Sequence, residues 1–90
     1  MIRTFGDRLI EDVYHGRNTS RVRKLHNSVL RATVRKLDMM EAALRLEDLR
    51  VPPGNRLEAL KGDLSGFYSI RVNDQWRIIL RWSDHGADDV

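Results

Sequence analysis

The chain contains no cysteine and only two prolines in 90 residues. Disulfides and cysteine-based zinc sites are therefore excluded, and stability must come from packing. Histidine is scarce too: His15, His26 and His85 lie far apart, without the spacing that a zinc site needs. No apolar run approaches the roughly 18 residues of a membrane span. Acids interrupt the opening MIRTFGDRLIEDV, so it does not read as a signal peptide, and a cytoplasmic protein is expected. KGDLSG lacks both the glycine-rich run before its lysine and the Ser/Thr after it, so it is not a P-loop. Neither Ser65 nor Ser69 has an adjacent base to activate it. There is no internal repeat and no low-complexity segment.

What remains is one small domain over residues 1–90, with 41% hydrophobic and 32% charged residues, as in an ordinary globular protein. The net charge of +3 is unevenly spread. Residues 1–36 hold nine Arg and Lys against three acids, a net +6, whereas residues 37–90 hold seven against ten, a net −3. A basic half suits nucleic acid or an acidic protein partner, and it equally suits a solvated helical face.

The most informative stretch runs from Pro52 to Trp82. In FYSIRVN, Tyr68, Ile70 and Val72 alternate with Phe67, Ser69 and Arg71, the period-2 pattern of a half-buried strand. Asn73-Asp74-Gln75 reads as a turn. The following run sets Trp76, Ile78, Leu80 and Trp82 on one side and Arg77, Ile79 and Arg81 on the other. Together they predict a β-hairpin with an apolar even-numbered face and a cationic odd-numbered one.

Around this hairpin, Met1–Phe5 reads as a short first strand, closed by Gly6. Asp7–Tyr14 reads as a helix capped by Asp7 and ended by His15-Gly16, His15 being a C-cap or solvent-facing residue. A long amphipathic helix is expected from Arg21 to about Met40, with His26 inside it, Met39 and Met40 filling the core, and a basic outer side. A second short helix is expected over Glu41–Leu49, stopped by Val51-Pro52-Pro53-Gly54. Arg56–Leu60 reads as a strand, and Ser83–Val90 as a polar tail with a strand beginning at Asp89-Val90. The order β-α-α-β-β-β gives an α+β domain, with two N-terminal helices on one face of a small antiparallel sheet.

Glu58, Lys61 and Arg77 are the residues that this pattern can bring together for chemistry, with Arg56, Arg71 and Arg81 nearby. Arginine offers phosphate a planar donor fork and lysine a compact point charge. A carboxylate among them can act as a general base, although such neighbours lower its basicity. The same residues also suit surface salt bridges.

PPGNRLEALKGD followed by GFYSIRVNDQWRI closely resembles the HigB/GraT-type killer proteins of the RelE/ParE toxin superfamily, and IRTF and DLRVPPG fit the same pattern. The resemblance implies a RelE-like fold and a type II toxin, a metal-independent, ribosome-dependent mRNA endonuclease that needs no cofactor. Such enzymes cleave in the ribosomal A site by attack of the ribose 2′-OH on the adjacent phosphate, which requires RNA. The partners implied are the ribosome, mRNA and a cognate antitoxin, a HigA-like helix-turn-helix DNA-binding protein. Matched by position, Lys61 would stabilise developing negative charge and Arg77 would clamp the scissile phosphate. Glu58 stands where some members carry histidine and others a glutamate base. Arg21, Arg23, Lys24 and Arg31 would hold ribosomal RNA, with Arg56, Arg71 and Arg81 beside the site.

The family pattern continues past the position of Val90 with a last strand closing in a motif like EIVDYH, and His85 does not replace its histidine. The expectation from the resemblance is a curtailed sheet and poor cleavage by this 90-residue form. Two other classes share the resemblance: a ParE-like inhibitor of DNA gyrase without nuclease activity, and a module that only binds its antitoxin.

Overall fold

The structure, a computed structural model, describes every residue from Met1 to Val90. Helices come first and the sheet last. Asp7 starts helix α1 (Arg8–Tyr14), its carboxylate accepting the N–H groups of Leu9 at 2.7 Å and Ile10 at 3.2 Å. His15 is its C-cap, and Gly16 turns the chain away in the left-handed region at φ 69°.

The expected long helix from Arg21 is two helices, α2 (Ser20–Arg23) and α3 (Asn27–Ala42). His26 is the reason for the break. Instead of lying inside a helix it caps α3, with Nδ1 accepting the Ser28 N–H at 3.2 Å. Nor does Glu41–Leu49 form an α-helix: α3 ends at Ala42, Ala43 is extended, and a 3₁₀ turn spans Leu46–Arg50. The Asp48 carboxylate fixes that turn by accepting the N–H groups of Leu44 and Arg45, which hold its pKa below the usual 3.8.

The sheet is antiparallel in the order β1 (Glu58–Ala59), β2 (Tyr68–Arg71), β3 (Arg77–Ser83), β4 (Gly86–Asp88). The expected strand over Arg56–Leu60 shrinks to two residues, because Arg56 at φ 47° ends the Pro53–Asn55 turn in a left-handed conformation. The tail is not the polar one expected. Its strand comes earlier, at Gly86–Asp88, and Val90 is fully buried. The N-terminal segment makes a parallel bridge, Ile2 with Ala87, rather than a full strand. Main-chain bonds continue the contact, Arg3 N to Ala87 O at 2.7 Å and Gly6 N to Val90 O at 2.9 Å. Gly86 sits at φ 127° where a Cβ would lie 2.1 Å from the Met1 carbonyl oxygen, so only glycine permits this approach.

The even-numbered face of the hairpin meets the helices as the alternation requires. Ile70, Ile78 and Leu80 join Val13, Leu37 and Met40 in one core. Two residues depart from the pattern. Trp76 is 49% exposed, because its backbone closes the hairpin: its carbonyl accepts from Val72 N and Asn73 N, and its N–H donates to Asn73 Oδ1. Ser69, on the cationic face, is only 1% exposed.

Candidate functional site

The register decides what meets on the odd-numbered face. Glu58 stands opposite Ser69, Ser69 opposite Ile79, and Arg71 opposite Arg77. Arg77 leans back across this row and covers Ser69. Its Nε donates to Ser69 Oγ at 2.8 Å, and its Nη2 donates to the Arg56 carbonyl oxygen at 2.7 Å. The same Nη2 lies 3.9 Å from Glu58 Oε2. The guanidinium is thus held from two strands of the sheet and from the turn before β1. Nη1 makes no hydrogen bond within the protein, and its two donors remain for a ligand.

Glu58 is 60% exposed on its side chain, so its pairing with Arg77 is loose and open to solvent. Lys61 opens the Gly62–Leu64 turn, exposed, with no ion pair or hydrogen bond joining its amine to Glu58 or Arg77. Sequence reasoning gathered these three residues; the geometry joins two of them and leaves Lys61 as a free cation at the rim.

The remaining cations differ sharply. Arg81 lies over the Phe67 ring, 4.3 Å from its centroid, and its Nε is 3.3 Å from Asp89 Oδ2. Arg71 is paired with Asp74. The Arg56 side chain is exposed and unpaired, its carbonyl being the part that the fold uses. Between Arg77 and the start of α1 opens a cleft of about 400 Å³, lined by Leu9, Ile10, Phe67, Trp76, Arg77 and Ile79 among others.

On the helices, Arg21 is occupied structurally. Asp12, only 4% exposed, takes Arg21 Nε at 3.4 Å, Arg17 Nη1 at 3.3 Å and the Thr19 hydroxyl at 3.1 Å. Burial pushes the Asp12 carboxyl up, but the hydrogen bonds from Thr19 and Arg17 and the charge of Arg21 outweigh it, holding it below the usual 3.8. Arg23 Nη1 donates to the Asn18 carbonyl at 2.7 Å. Lys24 and Arg31 are exposed and make no such bond. No three His, Asp or Glu side chains gather as a metal would require, and no helix is long and apolar enough to cross a membrane.

Ser69 and the Arg56 carbonyl were missed by sequence reasoning. Ser69 carries a usable signal, a small hydroxyl residue at an outward strand position beside Arg77's own position on the hairpin. A main-chain carbonyl carries none.

Helices on one side of a short antiparallel sheet, with a fixed arginine on the other, make the α+β arrangement of RelE-like toxins. Residues 3–90 match the family described as the RelE-like toxin of type II toxin–antitoxin system HigB. The chain is 45% identical over 80 residues to Toxin HigB-1 of Vibrio cholerae serotype O1, covering 89% of this chain and 82% of that protein. It is also 36% identical over 67 residues to an uncharacterized protein of Haemophilus influenzae, covering 74% and 66% respectively. The chain belongs to the HigB-like toxin family and is the toxin member of a type II toxin–antitoxin pair, with an antitoxin as its partner.

Proposed function

We propose that this toxin is a ribosome-dependent mRNA endonuclease of the cytoplasm, cutting in the A site. The observation that carries this reading is Arg77, whose guanidinium is fixed by Ser69 Oγ and the Arg56 carbonyl with Nη1 uncommitted. A pre-oriented planar cation favours a phosphate in its transition-state geometry, because no reorganisation is needed as charge develops. In this mechanism the ribose 2′-OH attacks the adjacent phosphorus, and the P–O5′ bond breaks. The leaving 5′ oxygen takes a proton from solvent water, so the products are a 2′,3′-cyclic phosphate and a 5′-OH. Glu58 takes the 2′-OH proton, Arg77 holds the phosphate, and Lys61 supplies charge to the oxygens that become more negative.

Lys24 and Arg31, exposed on the helical surface and without a partner in the protein, are suited to ribosomal RNA phosphates. Arg23 can add to them, and Arg56, Arg71 and Arg81 flank the cleft. The antitoxin is proposed to be HigA-like, a helix-turn-helix DNA-binding protein.

The test is primer extension on ribosomes programmed with a defined mRNA, for the wild type and for Arg77→Ala. Cuts at A-site codons are expected with the wild type alone, only when ribosomes are present, and are suppressed by the antitoxin. Intact mRNA with the wild type would overturn the nuclease reading, and accompanying inhibition of DNA gyrase would assign a ParE-like activity instead.

A further inference from the structure

We propose that Asn55, held by Lys36, is a positioning residue for Arg77, acting through the main-chain carbonyl of Arg56. The inference deepens the reading of Arg77 as the phosphate-binding group and rests on it. Asn55 closes the Pro53–Asn55 turn and is 0% exposed, an unusual depth for a carboxamide in so small a protein. Both polar atoms of its side chain and its main-chain N–H are used. Its Nδ2 donates to the Leu49 carbonyl at 3.1 Å and the Val51 carbonyl at 3.5 Å, its N–H donates to the Pro52 carbonyl at 2.9 Å, and its Oδ1 accepts from Lys36 Nζ.

Lys36 reaches this site from α3. Burial lowers its pKa, and the charges of Arg35 and Arg71 add to the effect. The fold keeps the cation there although its partner is a neutral amide, which gives little Coulombic return. What the ammonium does supply is direction. It can face only the oxygen end of the carboxamide, so the NH₂ end must face the two carbonyls of the preceding turn.

The consequence appears one residue later. Arg56 is held at φ 47°, a conformation that a residue with a side chain adopts only where its surroundings impose it. Its N–H donates to the Pro53 carbonyl at 3.1 Å, and its own carbonyl turns towards β3, where Arg77 Nη2 meets it at 2.7 Å. Ser69 Oγ holds the other side of the guanidinium. With both anchors the guanidinium plane is fixed. Without the Arg56 carbonyl, Nη2 keeps only the long contact to the Ser69 carbonyl at 3.5 Å and the loose one to Glu58 at 3.9 Å. The guanidinium can then swing about Nε, and Nη1 loses its single direction.

Nitrogen-15 NMR of the arginine side chains tests this directly, on the wild type, Asn55→Ala, Lys36→Met, Arg56→Gly and Arg77→Ala. Affinity for an RNA trinucleotide with a 2′-deoxy central sugar and thermal unfolding would be measured in parallel. In the wild type, the Arg77 Nη signals should be resolved individually, because rotation about the Nε–Cζ bond is slowed. Arg56→Gly keeps the left-handed carbonyl and should keep that signature. Asn55→Ala and Lys36→Met should merge the Arg77 signals while those of Arg81 stay unchanged, with trinucleotide binding weakened about tenfold. A merely structural Asn55 would lower the unfolding temperature and leave the Arg77 signals resolved. Resolved Arg77 signals in a folded Lys36→Met protein would overturn the inference. Trinucleotide binding unaffected by Arg77→Ala would overturn the phosphate reading instead, and the NMR signature would still decide the relay.

Discussion

Two cationic regions of this toxin look alike in a charge count and differ in construction. On the helices, Arg21 and Arg17 are consumed by the buried Asp12, and Arg23 by a main-chain carbonyl, whereas Lys24 and Arg31, like Arg8 and Arg35, are surface charges without a partner in the protein. On the sheet, Arg77 is held chiefly by neutral oxygens, the Ser69 hydroxyl and the Arg56 and Ser69 carbonyls, with the Glu58 carboxylate only loosely near at 3.9 Å, and Nη1 stays free. A carboxylate partner neutralises an arginine; a carbonyl and a hydroxyl orient it without removing its charge. The second arrangement is the one that chemistry on a phosphate needs, and the first serves folding or loose attraction.

The largest effect that sharpens this contrast is expected at Arg77. Arg77→Ala should lower cleavage on programmed ribosomes by about 10²–10³-fold, the order seen when one transition-state donor is removed. Arg21→Ala should change it only a few-fold. Ser69→Ala comes next. It removes one of two anchors, a hydrogen bond to a charged group worth about 1.5–3 kcal/mol, and should slow cleavage by about 10–100-fold with little change in ribosome affinity. Equal losses from Ser69→Ala and Arg21→Ala would break the comparison.

Asp12 gives a third test. Its folded pKa is depressed, so its contribution to stability is fully present above the usual 3.8 and is lost as pH falls through the folded value. Asp12→Asn should therefore lower the unfolding temperature at neutral pH and flatten its decline below about pH 4. By releasing Arg17 and Arg21 it should also strengthen salt-sensitive RNA binding, which thermal melts and filter binding at several salt concentrations would show. Smallest is the effect of Lys24→Ala and Arg31→Ala. Each should reduce the slope of log affinity against log salt by about 0.7 on single-stranded RNA, without altering the cleavage step.

The hairpin was legible because a period of two leaves little freedom: once Ile70, Ile78 and Leu80 face the core, Arg77 and Arg81 must face away. The failures have local causes. A histidine that competes for helix N–H groups splits what periodicity alone joins, and His26 gives no warning of which it will do. Arg56 in a left-handed conformation shortens a strand that its neighbours' alternation supports. Trp76 fits the apolar pattern yet lies where the hairpin turns, half-exposed at the cleft it shares with Leu9 and Ile10 of α1 rather than in the core. On the odd-numbered face, the nearness of Glu58 and Arg77 follows from strand order. The groups that aim Arg77 do not, since one is a serine with no obvious task and the other is backbone.

The pairing of Ile2 with Ala87 bears on how the toxin comes into being. These two residues stand at opposite ends of the sequence described, so the contact closes a loop containing most of the chain. Such long-range closure carries a high entropic cost and forms late in folding. During synthesis, the segment around Ile2 can bond only the end of α3, through Met1 N to the Met40 and Ala43 carbonyls and Ile2 N to Glu41. Its strand partner is missing until Ala87 has been made, and β4 stays at the sheet edge until that segment arrives. Hairpin and helices, whose contacts are nearer in sequence, can assemble before this final clasp. An antitoxin already present in the cell would then meet its target while the last seam is still open.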